Sequence, residues 1–216
     1  MSDIKADIED VIKETFRRMD DVYNLNNEAN GNLFNSRLSK LVFPKYSQHR
    51  KTQQNKIRVS EQELRFLFIE VLREYKDYYY SIETPTEKSY SFSDKENFNV
   101  PIVNPNGRSG CFDLVLFKDA KRVALIEFKA QGSREAYEKD LLKLANEGED
   151  KECYFIDLLE TASNRSYEAI ANRLNTSYES IKHKNSKLSC SRIHYVCYCI
   201  KDKTTKTYNW NTNKLK

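Results

Sequence analysis

Two neighbouring apolar stretches, residues 111–118 (Cys-Phe-Asp-Leu-Val-Leu-Phe-Lys) and 122–130 (Arg-Val-Ala-Leu-Ile-Glu-Phe-Lys-Ala), constrain this chain more than any other feature. Both are dense in β-branched, aromatic and aliphatic residues, and the short polar link Asp119-Ala120-Lys121 between them predicts a β-hairpin. Strongly polar residues interrupt the apolar runs at three inner positions: Asp113, Glu127 and Lys129. Residues two apart on a strand share a face, so Glu127 and Lys129 sit with Val123 and Leu125, their Cα atoms about 6.6 Å apart. A paired strand lies about 4.8 Å away, which lets Asp113 bring its carboxylate beside that of Glu127. Two acids and a base are costly to bury on an apolar hairpin unless something pairs with them. A divalent cation is the natural partner.

Asp113, a gap of hairpin length, then Glu127-Phe128-Lys129 resembles the signature of the PD-(D/E)XK nucleases, the restriction-endonuclease-like fold. Phe112 stands before Asp113 where that signature often has proline. The resemblance implies that Asp113 and Glu127 hold Mg²⁺, with Mn²⁺ as a substitute, and that the carbonyl of Phe128 supplies a further oxygen. Hard Mg²⁺ takes oxygen ligands and keeps several waters when one or two carboxylates hold it. Lys129 would then orient or deprotonate the attacking water, or neutralise charge on the scissile phosphate. A cation beside a metal has its pKa pushed down, which suits that role.

The family usually adds a glutamate from a helix upstream of the sheet. Residues 60–72 offer one, since Ser60 followed by Glu63 reads as a capping box, and Leu64, Leu67, Phe68, Val71 and Leu72 form an apolar stripe. Glu63 and Glu70 both fall at an edge of that stripe. Glu63 is preferred because it resembles the family's helix-start placement, with Glu70 in reserve.

Around this centre the chain reads as α/β: a central mixed sheet flanked by helices, in the αβββαβ order of the resembled core. Residues 1–60 form an N-terminal helical, basic extension packed on the core, and residues 61–216 form the nuclease-like core with a basic C-terminal segment. Ile4, Ile8, Val11, Ile12 and Phe16 mark a first helix, and residues 33–42 suggest a second. Residues 78–84 read as the first strand. Residues 84–110 carry three prolines and read as a long loop leading to Asp113, with Arg108 as a candidate phosphate contact. A helix over 134–147, a strand over 153–158, a helix over 167–183 and strands over 192–200 and 207–210 follow. Gln131 could lie near the site or cap a turn.

Charge is distributed unevenly. Residues 29–60 hold seven basic residues and no acid, residues 180–216 nine basic residues and one acid, and the span between them 16 basic and 23 acidic residues. Basic flanks of this kind suit a phosphate backbone, and Arg50, Lys51, Lys56, Arg58, Lys182 and Lys184 are the candidate contacts, although a solvated face would look the same. Five cysteines, an odd number at scattered spacing, point to reduced thiols in the cytoplasm. The sequence has neither a signal-peptide core nor an apolar run of membrane-spanning length. Cys190, His194, Cys197 and Cys199 lack the usual zinc-ligand gap.

The expected function is that of a metal-dependent hydrolase, a DNA endonuclease, with a homodimer suited to double-strand cutting. Two alternatives stay open. One is a catalytically silent nuclease-like domain that binds nucleic acid or a protein partner. The other is an unrelated α/β interaction protein whose charges decorate its surface.

Overall fold

The computed structural model describes residues 3–27, 39, 41, 58–74, 78–91, 102–130, 134–160, 190 and 192–211, with isolated positions at 169, 172, 175–176 and 179. The helices are α1 (Ile4–Asn27), α2 (Glu61–Leu72) and α3 (Arg134–Glu147). The strands are β1 (Tyr79–Ser91), β2 (Ile102–Val103), β3 (Arg108–Lys118), β4 (Lys121–Ala130), β5 (Glu152–Leu159), β6 (Arg192–Cys199) and β7 (Thr204–Asn211). They form one seven-stranded mixed sheet in the order β2-β1-β3-β4-β5-β6-β7. Pairing is antiparallel on the β1 side and parallel from β4 through β6. A parallel neighbour needs a crossover, and α3 supplies the one between β4 and β5.

Helices cover both faces. Ile8, Val11, Ile12 and Phe16 of α1, with Leu64 and Phe68 of α2, share a core with Leu114, Ile126, Phe128 and Ile156. Leu141, Leu144 and Ala145 of α3 share the other with Val115, Leu125, Phe155 and Tyr195. Alternate residues along each central strand enter opposite cores, which is why these strands read as near-continuous apolar runs. Polar contacts fasten α1 to the sheet: Tyr78 donates to Asp7 Oδ2 at 2.7 Å, and Tyr198 donates to Asp20. The N-terminal helix therefore shares its core with the sheet. All of the expected helix over 33–42 except Ser39 and Leu41, and most of 167–183, lie outside the described residues.

The hairpin turn is tighter than the sequence suggests. Lys118 pairs with Lys121, and the two residues between them, Asp119 and Ala120, have φ of 49° and 61°. Such a two-residue turn matches the twist of its strands but puts both residues in the left-handed region.

Within the expected loop over 84–110, residues 84–91, 102–103 and 108–110 are strand. β1 continues through Pro85 to Ser91, because Pro85 lies on a stretch whose outer edge β2 leaves unpaired; β2 meets only Tyr90 and Ser91. A proline is tolerated on such an edge. The register slips between Pro85 and Ser89, and Glu147 of α3 holds the slip, accepting from the backbone N–H groups of Glu87 and Lys88 at 2.8 Å each. The anticipated turn at Asn104 does form, with Gly107 N–H donating to Asn104 O at 2.9 Å. A Cβ on Gly107 would meet Tyr90 O at 2.2 Å, so only glycine fits there.

Candidate active site

The paired register of β3 with β4 runs from Lys118↔Lys121 to Leu114↔Ile126, which sets Asp113 across from Glu127 one step further on. There a side chain replaces the ladder: Asp113 Oδ2 accepts from the Phe128 N–H at 2.7 Å. β4 stays paired on its other side with β5, where Lys129 stands beside Asp157. On the far side of β3, the register places Glu83 across from Asp113. Glu83 has φ of 51°, a left-handed value that costs a non-glycine residue free energy. Its carboxylate accepts from Arg65 Nη1 at 2.5 Å, and the same nitrogen lies 3.6 Å from Asp113 Oδ1.

Two lysines stand among the acids. Lys129 Nζ is 2.7 Å from Asp140 Oδ2 and 3.2 Å from Glu61 Oε2. Lys143 Nζ is 2.5 Å from Glu127 Oε1 and 2.8 Å from Asp140 Oδ1, and it donates to the Cys111 carbonyl at 2.6 Å. Glu127 is 1% exposed, Lys143 3% and Asp140 5%. Low dielectric makes each pairing strong and each unpaired charge costly.

Protonation equilibria follow from this crowding. Burial first, then the Asp140 and Asp113 carboxylates, push Glu127 well above the usual carboxylate range, against the pull of Lys143. Burial also raises Glu61, while Lys129 opposes it. For Lys129, burial works to lower the pKa, but Asp140, Glu61 and Asp113 outweigh it and hold the ammonium above the ordinary lysine value. The expected downward shift presupposed a neighbouring cation; surrounded by carboxylates, Lys129 shifts the other way.

Asp113, Glu127 and Lys129 thus meet where β3 and β4 part, and Phe128 joins them through its backbone. Glu63 does not join them. Its Oε1 accepts from Arg58 Nη2 at 2.6 Å, and the reserve, Glu70, accepts from Ser39 at 2.6 Å. The acid that α2 brings to Lys129 is Glu61. Positions two apart on a helix differ by about 200°, so Glu61 and Glu63 cannot face the same cluster. The capping box is likewise only half formed: Ser60 Oγ accepts from Gln62 N–H at 3.2 Å, while Glu63 turns to Arg58.

Asp140 and Lys143 had no place in the sequence reading. The helical pattern carried little signal: at about 100° per residue Asp140 falls at the edge of the Tyr137–Leu141–Leu144 stripe of α3 and Lys143 well outside it. Arg108 is exposed at the start of β3, about 17 Å along the strand from Asp113 by the rise per residue. Arg50, Lys51, Lys56, Lys182, Lys184 and Gln131 lie outside the described residues.

The donor chemistry suits a hard cation, since Asp113 and Glu127 offer carboxylate oxygens. Among the described residues, no three His, Cys, Asp or Glu side chains form a ready-made ion cage. Among them, too, no helix is long and apolar enough to cross a membrane. No family model and no curated protein matches this chain.

Proposed function

We propose that this chain is a metal-dependent nuclease with a restriction-endonuclease-like core, hydrolysing phosphodiester bonds of DNA as an endonuclease in the cytoplasm. The observation that carries the reading is the placement of Asp113 across from Glu127, with Lys129 two residues on, at the point where two buried strands separate. Mg²⁺, or Mn²⁺ in its stead, would be held by Asp113 and Glu127 and would supply Lewis acidity toward the phosphate. Every other part falls to the chain's own residues. Lys129, kept charged by Asp140 and Glu61, is placed to orient a water or to neutralise charge on the scissile phosphate. Glu61 fixes the Lys129 ammonium from the helix side, and the Phe128 N–H fixes the Asp113 carboxylate.

The test is incubation with plasmid, linear duplex, single-stranded DNA and RNA in Mg²⁺, Mn²⁺ or EDTA. Metal-dependent scission of plasmid that Asp113→Asn abolishes is the expected result. Full cleavage by Asp113→Asn, purified free of contaminating nuclease, refutes the reading. A second reading, a silent nuclease-like domain that binds nucleic acid or protein, is favoured by one observation: the Lys143 ammonium already neutralises Glu127. Binding of DNA without scission in any metal selects it.

A further inference from the structure

The Lys143 ammonium sits inside a ready set of oxygens. Glu127 Oε1 at 2.5 Å, Asp140 Oδ1 at 2.8 Å and the Cys111 carbonyl at 2.6 Å converge on Nζ from three separate elements: β4, α3 and β3. The ammonium donates to the Cys111 carbonyl and forms ion pairs with the two carboxylates. These are hard oxygen donors, two of them anionic, of the kind that calcium and magnesium take. Lys143 is 3% exposed, so water does not share the load. Its neighbour Asp140 also holds Lys129, which couples the two ammonium groups through one carboxylate.

We infer that Lys143 is the built-in competitor of the divalent cation: its ammonium holds Glu127, Asp140 and the Cys111 carbonyl together in the metal-free protein and yields that place when the metal binds. The inference rests on the metal-dependent reading above and extends it, since it adds Asp140 and the Cys111 carbonyl to the oxygens the cation meets. Two effects raise the metal threshold. The ammonium occupies ligand oxygens, and its charge repels a cation brought nearby. Lys143 is therefore a positioning residue that sets metal affinity and takes no part in bond breaking.

The experiment is Mn²⁺ binding, followed by electron paramagnetic resonance of the free ion, to wild type and Lys143→Gln, with circular dichroism and a thermal melt in EDTA as the check on folding. Lys143→Gln is expected to bind Mn²⁺ at least tenfold more tightly and to gain more melting temperature from Mn²⁺ than wild type does. A parallel measurement needs no variant. In wild type the Lys143 ¹⁵Nζ resonance, slow to exchange in EDTA, is expected to shift or broaden on adding Mg²⁺ while exposed lysine resonances stay in place. Equal or weaker Mn²⁺ binding by a folded Lys143→Gln, or an unmoved Lys143 resonance at saturating Mg²⁺, overturns the inference and leaves the metal reading intact. Absence of Mn²⁺ binding by both proteins overturns both.

Discussion

Asp157 offers the sharpest test of how this sheet handles charge. It lies on β5 beside Lys129, fully buried, with Oδ2 accepting from Tyr137 at 2.7 Å and from Tyr195 at 2.8 Å. Its Oδ1 is buried without a hydrogen-bond partner. Burial raises its pKa from 3.8 to about 6, against the pull of the two tyrosine hydroxyls, the Leu158 backbone and Lys129. The native state therefore holds the proton more tightly than the unfolded chain. Stability from this group is full below pH 3.8, falls as pH rises toward about 6, and stays constant above that. At about 1.36 kcal/mol per tenfold change in proton affinity, the loss amounts to about 3 kcal/mol. Asp157→Asn keeps an oxygen for the tyrosines and cannot ionise. Urea unfolding of both proteins from pH 4 to pH 8 isolates the effect, because every other titrating group cancels in the difference. The stability of Asp157→Asn relative to wild type is expected to rise by about 2 kcal/mol between pH 4 and pH 7, the remainder of the change falling below pH 4. Parallel profiles would refute the reasoning.

The helix acids divide in a second test. Glu61→Gln is expected to reduce plasmid cleavage at least about tenfold by freeing Lys129, the equivalent of about 1.4 kcal/mol of barrier, whereas Glu63→Gln breaks a half-exposed pair with Arg58 and costs at most about 1 kcal/mol of stability. Equal effects on cleavage would return Glu63 to the site. Lys129→Ala is expected to keep Mn²⁺ binding, seen by the same resonance assay, and to lose about 10²–10⁴ of turnover; loss of binding would make Lys129 structural. Ala120→Gly relieves a φ of 61° in the hairpin turn and is expected to raise unfolding free energy by about 0.5–1 kcal/mol in urea melts; a decrease would mean that glycine's chain entropy outweighs the strain.

The hairpin was legible because charge on an apolar strand is a loud signal: Asp113, Glu127 and Lys129 stand out against Leu114, Leu125, Ile126 and Phe128 however the sheet is arranged. The α2 acid was harder. Ser60 and Glu63 have the spacing of a capping box, and that pattern drew attention to Glu63. Yet Glu61 stands three residues before Leu64 and seven before Phe68, squarely on the buried stripe, and an acid in that position is the one aimed at the sheet. β1 was cut short at Thr84 because prolines signal loops in the absence of tertiary context. What lets the strand pass Pro85 is an edge that β2 does not reach and a carboxylate from Glu147, about sixty residues away in sequence. No local pattern carries that information.

Asp140 and Lys143 illustrate a different limit. Along 134–143 charged residues are so frequent that two more read as solvated helix surface, and only the crossover from β4 to β5 lays α3 over Glu127. The resulting cluster solves a problem that the hairpin alone poses. Glu61, Asp113, Glu127 and Asp140 bring four carboxylates into one small, mostly buried volume, and a chain that folds before it meets a cation must neutralise them from within. Lys129, Lys143 and Arg65 do so, each reaching at least one of those acids. A buried pair of this kind adds little net stability, but removing one partner leaves a charge whose exposure to low dielectric costs about 3–5 kcal/mol. Losing either lysine is therefore expected to lower stability, and a bound cation to restore part of it. Glu127 is the shared point of this arrangement, since the Lys143 ammonium already occupies the carboxylate that the proposed cation would need.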